Sequence, residues 1–318
     1  MTDHGVLVHP ALFEQYFVYL MILELCTFSS LMLSYALFQR LLTSKRIFHP
    51  NLTTILLFQP IFLIIATFIR QFRHILQVIN LINGFSFQIC SFFSEALAAV
   101  CLNMTSSYAI ERYIAMRNLE NYENKYPNNH IGLKIILGTL TLLVFDLIVF
   151  YTSLLPGWLA YGISYVVQIV GIFFFYHVYR ICKQKYLEVW QKRYSTIDAR
   201  YNTQGNFKAS RLLLRLAPYK SITSILLLAE YQFLVDRTLY AQTFYTYVFF
   251  YLMHAQIIIQ MWLIIFLEPM MKLKLKAMLR PRVKPVVPAL RNVFGEQLIY
   301  NNFEESDIYF KHFNAMLK

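Results

Sequence analysis

A carboxylate beside a guanidinium is the first combination in this chain that could do chemistry. Glu111 and Arg112 stand together, with Tyr113 next, where an apolar run stops. From Phe85 to Ile110 the single charged residue is Glu95, and beyond Tyr113 the sequence turns polar through Arg117, Glu120 and Glu123. The chemistry open to such a group is the pairing and release of charge. An acid and an arginine at the edge of an apolar segment are costly unless paired. The plain alternative is an interfacial charge pair that ends a helix. Catalytic patterns are missing: no His-Glu-x-x-His occurs. Cys26, Cys90, Cys101 and Cys182 have neither metal nor disulfide spacing. No catalytic residue, metal or cofactor is therefore assigned.

The element that carries the pair is long enough to cross a membrane. At about 1.5 Å per residue, residues 85–110 form a helix of about 39 Å. The whole composition agrees: 58% of residues are hydrophobic, 14% are charged, and mean hydropathy is +0.46. Soluble domains are near 45–50% apolar and about 25% charged. Six further apolar runs lie at about 16–38, 52–69, 135–152, 158–179, 221–235 and 244–267. The run at 221–235 is short, and its weaker first turn begins near Leu212. Gln59-Pro60 sits inside the second run, where neighbouring helices or water satisfy the freed carbonyl. Residues 70–84 read as a loop, 153–157 as a tight turn of breaker residues, and 180–220 as the longest polar segment.

These runs predict an all-α membrane protein, a seven-transmembrane helix bundle over residues 16–267. A short segment, 1–15, precedes the bundle, and a tail, 268–318, follows it. The tail opens with Glu268-Pro269 and interleaves Lys272, Lys274 and Lys276 with Leu273 and Leu275. That pattern predicts a short helix on the membrane surface.

The formal charge of +12 suggests nucleic acid, but its distribution excludes that reading. Of the 29 Lys and Arg residues, 26 lie in the first, third and fifth loops and the tail, and three elsewhere. The positive-inside rule then places the N-terminus extracellular and the C-terminus cytoplasmic. Residues 1–14 hold no Lys or Arg and so lack the basic start of a cleaved signal peptide. The first span is expected to be an uncleaved anchor.

Ionisable and amide groups within spans are costly and usually face the bundle or a wet cavity. Glu24, Glu95, Asp146, Glu230 and His254 fall in or near the outer half, and Gln168 lies near the middle of the fifth span. Against a cavity stands the simpler role, in which each is satisfied across a helix contact.

Glu111-Arg112-Tyr113-Ile114-Ala115, followed by Asn121-Tyr122-Glu123-Asn124-Lys125, resembles the ERY-x-A … YE-x-K signature of the nematode serpentine chemoreceptors. The Sre (class E) family is the nearer match, with the related Sra-type families second. The topology resemblance covers residues 16–284 and the motif residues 111–125. It implies a chemosensory G-protein-coupled receptor in the plasma membrane of sensory neurons, in their cilia. Its partners are a small-molecule ligand, a heterotrimeric G protein and the bilayer. Glu111, Arg112 and Tyr113 would form the coupling switch, with Arg112 holding the inner ends of spans three and six at rest. In such a bundle spans one and four are peripheral, which leaves Glu95, Gln168, Glu230 and His254 as the ligand-pocket candidates.

The chain departs from the rhodopsin-like pattern at several points. Span two lacks the usual aspartate, span six has Pro218 in place of Cys-Trp-x-Pro, and span seven ends in Glu268-Pro269. The inner end of span six offers Arg211, Arg215 and Lys220 but no acid, so these residues are expected to repel Arg112. The sodium site, the ionic lock and the loop disulfide are therefore not implied. A multi-span transporter or channel is the alternative, supported by the scattered acids alone.

Overall fold

The computed structural model describes residues 10–43, 47–79, 81, 84–118, 122, 130–151, 157–191, 197–232 and 239–279. Seven long helices form the bundle: α1 (Pro10–Thr43), α2 (Pro50–Val78), α3 (Gly84–Arg117), α4 (His130–Tyr151), α5 (Gly157–Gln191), α6 (Ile197–Gln232) and α7 (Leu239–Leu267). A short helix, α8 (Pro269–Leu279), follows. No strand occurs among the described residues. Six of the seven are long and apolar enough to cross a membrane, and α4 adds the shorter apolar stretch His130–Thr141. Large apolar side chains point outward, among them Leu33, Phe173, Leu137 and Leu226. A surface of this kind belongs in hydrocarbon, and the chain is a multi-pass membrane protein.

The helix α3 is the hub, packed against α2, α4, α5 and α6, while α5 lies along α6 and α1 along α7. Leu31, Leu63, Met104, Met253 and Ile257 are fully buried where these faces meet. Pro60 and Pro218 lie inside α2 and α6.

Two boundaries differ from the apolar pattern. Helix α2 runs on to Val78, so most of the expected loop at 70–84 is helical. Arg70, Gln71, Arg73 and His74 are polar yet buried against neighbouring helices, and hydropathy cannot distinguish that from a loop. Likewise α5 continues to Gln191 and α6 begins at Ile197, well upstream of Leu212. These extensions are held by side chains rather than by lipid. Phe207 stacks on Tyr179 at 5.7 Å and on Tyr186 at 5.0 Å, and Tyr186 meets Trp190 at 5.8 Å. Cys182 Sγ lies 3.2 Å from Ser210 Oγ between the same two helices.

At the other boundaries, α1 starts at Pro10, inside the segment expected to precede the bundle. Pro269 opens α8, a position where its missing N–H costs nothing. Glu268 accepts from the Met270 backbone there, and burial pushes its carboxyl above the ordinary value against the pull of that bond and of Lys208. Met271 and Leu275 are buried, and Lys274 Nζ donates to the Leu41 carbonyl at 3.3 Å. Residues 152–156 of the expected turn, the motif residues Asn121, Glu123, Asn124 and Lys125, the tail from Arg280, and the Asp146 side chain lie outside the described residues.

Candidate switch site around Arg112

Near its C-terminal end α3 presents Glu111 and Arg112 in succession, both buried, at 0% and 2% exposure. Consecutive helical residues point about 100° apart and do not ordinarily face each other. Here the arginine folds back. Arg112 Nε donates to Glu111 Oε2 and Arg112 Nη2 donates to Glu111 Oε1, each at 2.5 Å. This is the two-pronged fork in which a guanidinium matches a carboxylate. The remaining terminal nitrogen, Nη1, donates across the bundle to Asn206 Oδ1 of α6 at 3.0 Å.

The network continues through Glu111. The Tyr122 hydroxyl donates to Glu111 Oε1 at 2.9 Å, and Asn51 Nδ2 donates to that hydroxyl at 2.9 Å. Gly132 N donates to Asn51 Oδ1 at 3.1 Å. One chain of bonds thus links α6, α3, Tyr122 and the starts of α2 and α4. Burial, and then the charge of Glu111, push the Tyr122 phenol well above its ordinary value, so it stays a proton donor.

Helices α2 and α4 approach closely at this point. A Cβ added at Gly132 would lie 2.6 Å from the Asn51 carbonyl oxygen and 3.1 Å from its Cα. Both are backbone atoms, so a side chain there must push the helices apart. Gly132→Ala should therefore cost about 1–3 kcal/mol, the range for overpacking. Thermal unfolding of purified protein, compared with Gly138→Ala at an open position, measures it.

The remaining motif residue is placed differently. Tyr113 is half-buried, packs on Phe174 of α5 at 5.9 Å and lies under Arg117 at 5.5 Å. The expected repulsion from α6 is a correction: Arg211 and Arg215 point outward, and Lys220 is bonded to the Cys101 carbonyl at 3.2 Å. The partner that α6 offers Arg112 is an amide, Asn206, in place of the acid of the rhodopsin-like pattern. Asn206 does not stand out in the sequence, because a lone asparagine has no spacing to recognise, and the Asn51-Leu52-Thr53 spacing says nothing of a bond to Tyr122. Tyr122 carried a signal through the motif but no assigned role.

A family model described as Sre G protein-coupled chemoreceptor matches residues 67–317. The chain belongs to the Sre G protein-coupled chemoreceptor family. No curated protein matches it. The matched region holds Glu111, Arg112, Tyr122 and Asn206, while Asn51 precedes it.

The pocket candidates of this Sre receptor occupy separate settings. His254, fully buried on α7, has Nε2 2.8 Å from Thr67 Oγ1 of α2 and Nδ1 3.0 Å from Thr27 Oγ1 of α1. Gln168 Nε2 donates to Asn103 Oδ1 at 2.9 Å and to the Leu102 carbonyl at 3.4 Å. Glu95 is half-buried on α3, within electrostatic reach of Arg73. Both Glu230 carboxyl oxygens are buried and meet no hydrogen-bond donor among the described residues.

A cluster that the sequence reading passed over lies between α1, α2 and α7. Glu24 Oε1 is 3.0 Å from Arg70 Nε, with both side chains buried. The Arg70 guanidinium is also sandwiched by Tyr247 at 4.5 Å and Phe250 at 4.6 Å. His74 stacks on Tyr247 at 5.5 Å. Glu24 lies on a span that the resemblance makes peripheral, and Arg70 falls in the expected loop at 70–84. The helical phase of Arg70 and His74, four residues apart, was the available signal.

Proposed function

We propose that this Sre receptor binds a small chemical ligand in the half of the bundle away from Arg112 and activates a heterotrimeric G protein at the Arg112 end. The observation that carries this reading is the restraint on Arg112. A buried guanidinium is bonded to Glu111 on its own helix and to Asn206 on α6, so parting α6 from α3 breaks a charge-assisted bond and uncovers a cation. That is the behaviour of a two-state element. For the ligand end, Glu230 supplies a carboxylate that meets no donor among the described residues, and Glu95, Gln168 and His254 supply polar groups on three other helices. A ligand bearing a hydrogen-bond donor or a weak positive charge suits them.

In this reading the receptor sits in the plasma membrane of sensory cilia, with its N-terminus outside and the Arg112 end in the cytoplasm. The distribution of 26 basic residues against three supports that orientation. An epitope placed before Tyr16 should be accessible in intact cells, and one placed after Lys284 should become accessible only after permeabilisation. The reverse pattern would turn Arg112 away from any cytoplasmic partner and end the proposal.

A further inference from the structure

Lys220 is buried inside the membrane-spanning part of α6, at 2% exposure, and no salt bridge among the described residues includes it. It lines a small cavity with room for about one water-sized particle, together with Thr105 and Tyr108 of α3, Phe175 of α5, Leu213 of α6 and Gln260 of α7. Several of the polar groups around it are bonded to one another. Lys220 Nζ donates to the Cys101 carbonyl at 3.2 Å, and Gln59 Nε2 donates to the same oxygen at 3.1 Å. Gln59 Oε1 accepts from the Tyr108 hydroxyl and, at 2.7 Å, from Gln260 Nε2. Thr105 Oγ1 and Gln260 Oε1 make no hydrogen bond among the described residues.

The protons of Lys220 find acceptors, but its charge finds no acid in a salt bridge among the described residues. An ammonium carries three, and one is used on Cys101. Gln260 Oε1 can take a second. The hydroxyl oxygens of Thr105 and Tyr108 can take the third. A water would add hydrogen bonds but leave the buried charge uncompensated. An isolated ammonium in an apolar interior is strongly disfavoured. A small anion accepts from the ammonium and from the Thr105 hydroxyl, and it cancels the charge.

We propose that the cavity beside Lys220 is a binding site for a single small inorganic anion of chloride size. Lys220 Nζ and the Thr105 hydroxyl are its donors, and Phe175, Leu213, Leu216 and Ala217 form an apolar wall. The anion ties α6 to α3 two residues from Pro218. The site is separate from the Arg112 network and stands whether or not the chain activates a G protein.

The test is thermal unfolding of the detergent-purified full chain while chloride replaces gluconate at constant ionic strength. Gluconate is too large for the cavity. The wild type should gain about 2–4 °C along a saturating curve, the size expected of a ligand that binds the folded state alone. Lys220→Met should abolish the gain, and Thr105→Val should weaken it. Equal stability in both salts would overturn the proposal and leave water as the occupant. A gain that persists in Lys220→Met would overturn it too, by placing the anion elsewhere. Should Lys220→Met fail to fold, crystals grown in bromide decide the matter. An anomalous peak beside Lys220 Nζ supports the site, and its absence refutes it.

Discussion

Arg112→Ala will abolish G-protein activation and leave ligand binding in place. The substitution removes the cation that an opening of α6 would uncover at the Arg112 end, and alanine offers a G protein nothing to hold. The ligand half of the bundle does not contact it. Its two restraining partners should behave oppositely. Asn206→Leu deletes the bond from Arg112 Nη1 to α6. A hydrogen bond to a charged group contributes about 1.5–3 kcal/mol, so losing it from the resting state alone raises ligand-free signalling at least tenfold. Glu111→Gln replaces a carboxylate that holds both remaining guanidinium nitrogens with a neutral amide. Basal signalling should rise there as well, because charge-assisted bonds are roughly twice as strong as neutral ones. The measurement is basal and stimulated signalling of the three variants at matched surface levels. Undiminished stimulated signalling from Arg112→Ala would remove the motif from the mechanism.

Glu24→Leu will lower the unfolding temperature by roughly 10 °C, and adding Arg70→Met will restore much of the loss. Both side chains of this pair are buried. Removing one member of a buried pair costs about 3–5 kcal/mol, because the other charge stays behind without compensation. Removing both leaves an apolar contact among α1, α2 and α7, and such replacements are often close to neutral. The rings of Tyr247 and Phe250 over the guanidinium soften the single loss without cancelling it, since each cation–π contact contributes about 0.5–2 kcal/mol. Thermal unfolding of the two single variants and the double variant forms the cycle. A single variant within one degree of wild type would show that Arg70 rests on the rings alone.

The bundle was legible in the sequence because lipid imposes one simple demand. A segment that faces hydrocarbon must be apolar over about 20 residues, and the runs around Phe62, Met104 and Met253 satisfy it. The same demand explains the errors at the boundaries. Hydropathy records which solvent a residue prefers, not whether its backbone is helical. Arg70 and His74 are helical and buried, and Asn206 and Phe207 are helical beyond the apolar zone. The motif marked Glu111 and Arg112, but not the residues that hold them. Asn206 lies 94 positions from Arg112, and Asn51 lies 71 from Tyr122. Such pairs are set by how the helices cross, and no local spacing encodes that. Lys220 differs for the opposite reason: its basic neighbours place it in the polar segment and set it against Arg112, while its own side chain turns inward to the Cys101 carbonyl.

The stacked rings between α5 and α6 have a mechanical consequence. From Ile197 to Pro218, α6 is a rod of about 32 Å, and a proline is where a helix bends most readily. A swing of about 10° there would carry the far tip about 5 Å by simple lever geometry. Phe207, clasped between Tyr179 and Tyr186, transmits that swing to α5 as a tooth does between two gears. With such a clasp the two extensions would travel as one arm, and a shift of an ångström or two at the level of Lys220 would arrive at their tips several times enlarged.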